Sequence, residues 1–154
     1  HTMAHILVVD DDELVAEHVT QVLLDAGHAC GWVTDAETAM QVLNRRHPDL
    51  LLLDENLPGE SGTGLLRRLR NAARFYDLPV IMLTANAGFK EEQIARYNGA
   101  QDYIRKPCGE KSLVFRVKQL LDARRERPRH RSVAESIGVE PETAPPATAV
   151  RRYC

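Results

Sequence analysis

The chain has 154 residues, of which 44% are hydrophobic, 27% charged and 5% aromatic, enough for one domain with a buried core and a short appendage. Residues 1–123 carry 13 Lys/Arg against 18 Asp/Glu and residues 124–154 carry 7 against 4, so the globular part is acidic, which argues against a nucleic-acid grip by the folded domain. No apolar run approaches the roughly 18 residues of a membrane span, no signal-peptide pattern opens the chain, and three cysteines without a CxxC pair argue against a disulfide framework or zinc site, leaving a reducing cytoplasm as the default.

In chain order, His1-Thr2 ahead of Met3 reads as the remnant of a purification tag, so residues 1–3 are set aside. Ile6–Val9 is the first of five short apolar runs. Leu14, Val15, Val19, Val22 and Leu23 then share a helical face, with Gly27 as the stop. Ala29–Val33 is the second run, and Thr34-Asp35-Ala36-Glu37 reads as a capping box opening a helix with Ala39, Met40 and Leu43 inward. Leu50–Leu53 follows, then a helix marked by Leu65, Leu66 and Leu69. Val80–Leu83 precedes a helix with Ile94, Ala95 and Tyr97 that ends before Gly99. Tyr103–Ile104 precedes the last helix, marked by Leu113, Val114, Val117, Leu120 and Leu121. Three of the runs are continuous rather than alternating, the pattern of strands buried on both faces. Five alternations predict an α/β unit with a parallel sheet and helices on both faces.

The pattern ends near Ala123. Residues 124–154 hold four of the eight prolines and no leucine, too little apolar surface to offset their conformational entropy, and read as a basic, Pro-rich linker or disordered tail. The arginines of residues 124–129 read as a solvated helix end favoured by the helix dipole.

In open parallel sheets, ligands bind beyond the carboxyl ends of the strands. The first run ends in Asp10-Asp11-Asp12-Glu13, the third in Asp54, the fourth in Thr84-Ala85 and the fifth in Lys106-Pro107. Singly, each has a structural explanation: a helix cap, a loop acceptor, a strand-end hydroxyl, a surface charge. Together they bring three carboxylates, a hydroxyl and an ammonium to one edge. Two such carboxylates about 4 Å apart repel by about 4 kcal/mol at an effective dielectric near 20. Lys106 offsets one of the three charges, and a divalent cation would offset the remaining two. An all-oxygen donor set selects a hard ion such as Mg2+. The metal would let one carboxylate act as nucleophile toward an incoming phosphoryl group, with Thr84 and Lys106 meeting its oxygens and small Ala85 leaving room.

These residues resemble the receiver (phosphoacceptor) domain of two-component response regulators across residues 4–123. The resemblance rests on Ile6-Leu7-Val8-Val9-Asp10-Asp11, on Asp54 with Leu57-Pro58 and Gly62, and on Leu78-Pro79-Val80-Ile81-Met82-Leu83-Thr84-Ala85. Gly99-Ala100 and Tyr103-Ile104-Arg105-Lys106-Pro107 complete it. It implies a doubly wound, flavodoxin-like (CheY-like) five-stranded parallel sheet in order 2-1-3-4-5. It implies a phosphoacceptor Asp54 charged by a sensor histidine kinase or phosphotransfer protein, and Mg2+, with Mn2+ as substitute, held by Asp11, Asp54 and the Asn56 backbone carbonyl, Asp10 helping through water. Lys106 and Thr84 would be the catalytic residues, Thr84 and Tyr103 the switch pair, and Lys106–Pro107 a cis peptide. The face of the fourth helix, fifth strand and fifth helix would carry the signal to an output domain beyond Cys154, a partner, or a second copy in a homodimer. No membrane and no direct nucleic-acid contact by the receiver itself is implied, and the role is signalling rather than metabolic catalysis.

Glu60 and Cys108 depart from the family pattern, which prefers an apolar residue at the first position and Phe at the second. Cys108 reads as a small buried or loop cysteine. Asn56 and Asn86 lie where the family tunes acyl-phosphate lifetime. Two other readings stand beside this one. A haloacid-dehalogenase-like phosphatase would use Asp10 and Asp12 as nucleophile and acid, leaving Asp54 without a role. A receiver-like binding module would never be phosphorylated.

Overall fold

Strand and helix alternate five times along the computed structural model, which describes residues 3–85 and 88–126. In order these are β1 (His5–Val9), α1 (Glu13–Asp25), β2 (Ala29–Val33), α2 (Ala36–Arg45), β3 (Leu50–Leu53), α3 (Gly62–Arg70), β4 (Val80–Thr84), α4 (Phe89–Tyr97), β5 (Asp102–Arg105) and α5 (Glu110–Glu126). The strands form one parallel sheet in order β2-β1-β3-β4-β5, the topology and fold class expected from the sequence.

The apolar runs are continuous because both faces of the sheet are covered. Leu7, Val9, Leu51, Leu53, Val80 and Met82 point to one side and pack against Ala39 and Leu43 of α2, Leu65, Leu66 and Leu69 of α3 and Ala95 of α4. Their strand neighbours Ile6, Val8, Leu50, Leu52, Ile81 and Leu83 point to the other side. There they meet Ala16, Val19 and Leu23 of α1 and Leu113, Val117 and Leu121 of α5. Successive side chains of a strand alternate in direction, so a two-sided core demands an apolar residue at every position.

Three local expectations are corrected. Leu14 is 79% exposed rather than inward, and on α4 Ile94 and Tyr97 are 43% and 91% exposed, leaving only Ala95 buried. At about 100° per residue, Leu14 lies roughly 200° from the inward Ala16, and Tyr97 lies as far from Ala95. The capping box also moves on by one residue: Asp35 is the cap of α2, accepting from the Thr38 backbone N–H at 2.7 Å and its hydroxyl at 3.0 Å.

Gly27 ends α1 at φ 96, a left-handed conformation that favours glycine. α5 continues through Glu126, and Arg124 is no solvated helix end, because its guanidinium donates to the Asp77 carbonyl at 2.7 Å ahead of β4. Burial pushes the Cys30 thiol up to about 11, which makes it a poor nucleophile. Cys108 sits half-buried in the β5–α5 loop, its thiol 3.5 Å from the Gly109 carbonyl. No helix among the described residues is long and apolar enough to cross a membrane. The expectations for the tag remnant His1-Thr2, for Asn86 and for the tail beyond residue 126 lie outside the described residues.

Candidate functional site

Parallel pairing sets the strand ends side by side. Val9 is in register with Leu53, and the Asp54 N–H donates to the Val9 carbonyl at 2.9 Å, so the next residue of each strand, Asp10 and Asp54, emerge as neighbours. Thr84 pairs with Arg105, and the Lys106 N–H donates to the Thr84 carbonyl at 2.9 Å, which brings the lysine to the same rim. The Lys106–Pro107 peptide is cis, as the resemblance implied.

The side chains then converge. Lys106 Nζ lies 2.7 Å from Asp10 Oδ2 and 3.5 Å from Asp54 Oδ2. One carboxylate oxygen from each of Asp10, Asp11 and Asp54 lies within 4.8 Å of the others, with Asp10 and Asp54 buried and Asp11 exposed. The other oxygen of Asp10 accepts from the Asp12 N–H at 2.9 Å. Asp54 Oδ1 is different. It is buried and has no hydrogen-bond partner, and an unsatisfied buried acceptor costs free energy unless something else meets it.

Burial is also what raises the Asp54 carboxyl above its ordinary value of 3.8, with the charge of Asp10 adding to it and that of Lys106 opposing. For Lys106, burial acts to lower the ammonium, but its hydrogen bond to Asp10 and the charges of Asp54 and Asp10 outweigh that and hold it above 10.5. Three carboxylates around one ammonium leave the net negative charge that a divalent cation would offset. The donor set, all oxygen with an orphaned buried atom among it, fits a hard ion.

Asp12 does not join the cluster. Its carboxylate accepts from the Leu14 and Val15 N–H groups at 3.1 and 3.3 Å and caps α1, so the arrangement gives no support to a phosphatase that needs Asp12 as its acid. Thr84 is fully buried at the end of β4. Tyr103 sits in register with Met82, two residues back from Thr84 along β4, and is buried in the cluster holding Ala95 and Ala100. Burial and the carboxylates of Glu91, Glu55 and Glu92 raise its phenol. Asn56 is exposed in the β3–α3 loop.

That loop holds the residues sequence reasoning undervalued. Glu60 is ion-paired with Arg68 of α3, which accommodates a charge in a place where an apolar residue is usual. A Cβ on Gly62 would stand 2.2 Å from the Asp54 carbonyl oxygen and 2.9 Å from its carbon, so α3 approaches the end of β3 through backbone alone. Gly62→Ala must push α3 and Asp54 apart, and such overpacking costs about 1–3 kcal/mol. Urea denaturation should show that loss, with a fall in any chemistry at Asp54; unchanged stability would mean the loop yields freely. Glu55 and Thr63 were missed altogether, since no local pattern marks a contact eight residues apart across a loop.

A family description, the response regulator receiver domain, matches residues 6–118. Over 117 residues the chain is 42% identical to the phosphate regulon transcriptional regulatory protein PhoB of Pseudomonas aeruginosa, covering 75% of this chain and 51% of that protein. Over 119 residues it is 35% identical to the virulence transcriptional regulatory protein PhoP of Salmonella typhimurium, covering 77% and 52%. It spans about half the length of these curated relatives. A crystal structure of a putative response regulator from Chloroflexus aurantiacus superposes with a TM-score of 0.75 at 36% identity, covering 79% of this chain and 99% of that one. The chemotaxis response regulator CheY4 of Vibrio cholerae gives 0.73 at 25% identity, covering 77% and 99%.

Proposed function

This chain belongs to the family of response regulator receiver domains, and from that premise we propose that Asp54 accepts a phosphoryl group from the phosphohistidine of a sensor histidine kinase or phosphotransfer protein. The observation that carries the proposal is the buried, unpartnered Asp54 Oδ1 beside Asp10, Asp11 and Lys106. That oxygen attacks phosphorus as the P–N bond breaks, and the electron pair leaves with the donor imidazole, which takes up a proton. Water later attacks the acyl phosphate, releasing inorganic phosphate and restoring the carboxylate.

Lys106, already 3.5 Å from Asp54 Oδ2, pairs with the negative phosphoryl oxygens, and the Thr84 hydroxyl donates to another. Asp11, Asp54 and the Asn56 carbonyl, with Asp10 through water, are the groups that would hold Mg2+ or, in its place, Mn2+. When bound, the ion supplies positive charge that offsets the carboxylates and polarises the phosphoryl oxygens. Drawing Thr84 toward the phosphoryl group changes the space available to Tyr103. That couples the site to the face made by α4, β5 and α5, a local charge event with a packing readout. An output domain beyond Cys154, a separate partner or a second copy through that face would receive the signal.

Incubation with Mg2+ and acetyl phosphate, followed by mass spectrometric mapping, tests the assignment. One phosphoryl group on Asp54, lost when the metal is chelated beforehand, is the expected result. Multiple turnover through Asp10 would overturn it in favour of a phosphatase, and no adduct in favour of a binding module that is never phosphorylated.

A further inference from the structure

In the loop between β3 and α3, Glu55 is held both by its backbone and by its side chain. The Glu55 backbone carbonyl accepts from the Leu57 N–H at 3.1 Å and from the Gly62 N–H at 2.9 Å. Its carboxylate oxygen Oε1 accepts from the Thr63 N–H at 2.8 Å and the Thr63 hydroxyl at 2.6 Å. With Ser61 Oγ receiving the Gly64 N–H at 3.0 Å, the first three N–H groups of α3 are all satisfied. A carboxylate at a helix N-terminus also meets the positive end of the helix dipole. Glu55 is therefore held both to α3 and, through the i to i+2 bond, around Asn56.

We infer that the Glu55–Thr63 pair is a positioning device for the metal site, fixing the Asn56 backbone carbonyl and the Asp54 carboxylate, which flank Glu55 in sequence, so that both serve one cation. The inference rests on the proposed metal role of Asp10, Asp11 and Asp54. Short hydrogen bonds to an ionised acceptor are the strong kind. With the Gly62 N–H they hold Glu55 by both its side chain and its carbonyl, and the Leu57 N–H that donates to that carbonyl lies in the same peptide plane as the Asn56 carbonyl. Residues that orient metal ligands without touching the ion typically change affinity by about 10–100-fold when removed.

The test is the dissociation constant for Mg2+ alone, measured by calorimetry on the full chain at a temperature where every variant is folded. Glu55→Leu should weaken binding by about tenfold or more. Glu55→Gln keeps an Oε1 acceptor for both Thr63 donors and should stay closer to the native protein than to Glu55→Leu. Should Glu55→Leu fail to fold, Thr63→Val and Thr63→Ser carry the test. Valine removes the hydroxyl donor and weakens binding severalfold, whereas serine retains the donor and the affinity. Glu55→Leu or Thr63→Val binding Mg2+ as the native protein does would overturn the positioning role, as would equal losses for Glu55→Gln and Glu55→Leu, which would indicate charge alone. A native protein that does not bind Mg2+ at all would overturn the metal reading itself, an outcome distinct from either.

Discussion

Asp54→Asn is expected to abolish phosphoryl uptake while raising the thermal midpoint of the metal-free protein at neutral pH. The amide matches the carboxylate in size, so the surrounding packing survives, but it has no anionic oxygen to attack phosphorus. The stability gain follows from burial. The Asp54 carboxyl is held above its ordinary 3.8, so ionising it costs more in the folded chain than in the unfolded one. A raised carboxyl weakens the fold at every pH above that range, and the penalty disappears below it. The variant's advantage should accordingly be present at pH 7 and fade as pH falls through the carboxylate range. Mass spectrometry and melts from pH 3 to 7 check both halves. An adduct at the native yield would remove Asp54 from the chemistry, and a lower midpoint at pH 7 would show that its charge is well compensated without metal.

Lys106→Met should have the opposite effect on stability. Methionine keeps much of the stem and removes the ammonium that faces Asp10 at 2.7 Å and Asp54 at 3.5 Å, in a site where the three side chains are 16%, 2% and 5% exposed. Leaving a buried charge without its partner costs about 3–5 kcal/mol, and the loss should be greatest in chelator. Mg2+ should recover part of it, since a ligand that binds only the folded state at 100 times its dissociation constant contributes about 2.7 kcal/mol. The pH dependence has a definite sign. Without the lysine the Asp54 carboxyl rises further, so the deficit is largest at neutral pH and shrinks toward acid as it protonates. The native lysine's own contribution is present throughout this range and is lost only above 10.5, beyond its raised folded value. Phosphoryl uptake should slow by about 10²-fold or more, the usual effect of deleting one donor to developing charge. Denaturant melts with and without Mg2+ decide the matter, and equal stability of the two proteins in chelator would mean that the carboxylates do not need this cation.

The two expectations act on one cluster from opposite directions, so the double variant is informative. With Asp54 neutralised, Lys106→Met strands less negative charge, and the two effects should not add. Their coupling energy measures how strongly the cluster behaves as a unit.

Much of this was legible along the chain. β1, β3 and β4 announce themselves as unbroken runs of Ile, Leu, Val and Met because a sheet covered on both faces buries the side chains of both sides, leaving polar residues such as His5 and Thr84 to the strand ends. Asp10 and Asp54 stand immediately after such runs and Lys106 immediately after β5, so their arrival at one rim follows from the parallel order of the strands. Periodicity was a weaker guide on α1 and α4, where Leu14, Ile94 and Tyr97 are apolar yet exposed. An apolar residue beside the inward stripe is indistinguishable in sequence from one within it.

The sequence by itself thus determined the strand order's raw material, the two-sided core and the set of polar side chains that meet at the carboxyl edge, because hydrophobic spacing and strand-end chemistry are local properties. Only the tertiary structure decided how the acids divide their work: Asp12 to the α1 cap, Asp10 to Lys106, and Asp54 Oδ1 buried without a hydrogen bond. It alone decided that Gly62 must be bare beside Asp54 and that Glu55 is fastened to Thr63. The reason is physical: which donor satisfies which acceptor across a loop depends on ångström-scale distances between elements, and those are set by packing rather than by any residue's own preference.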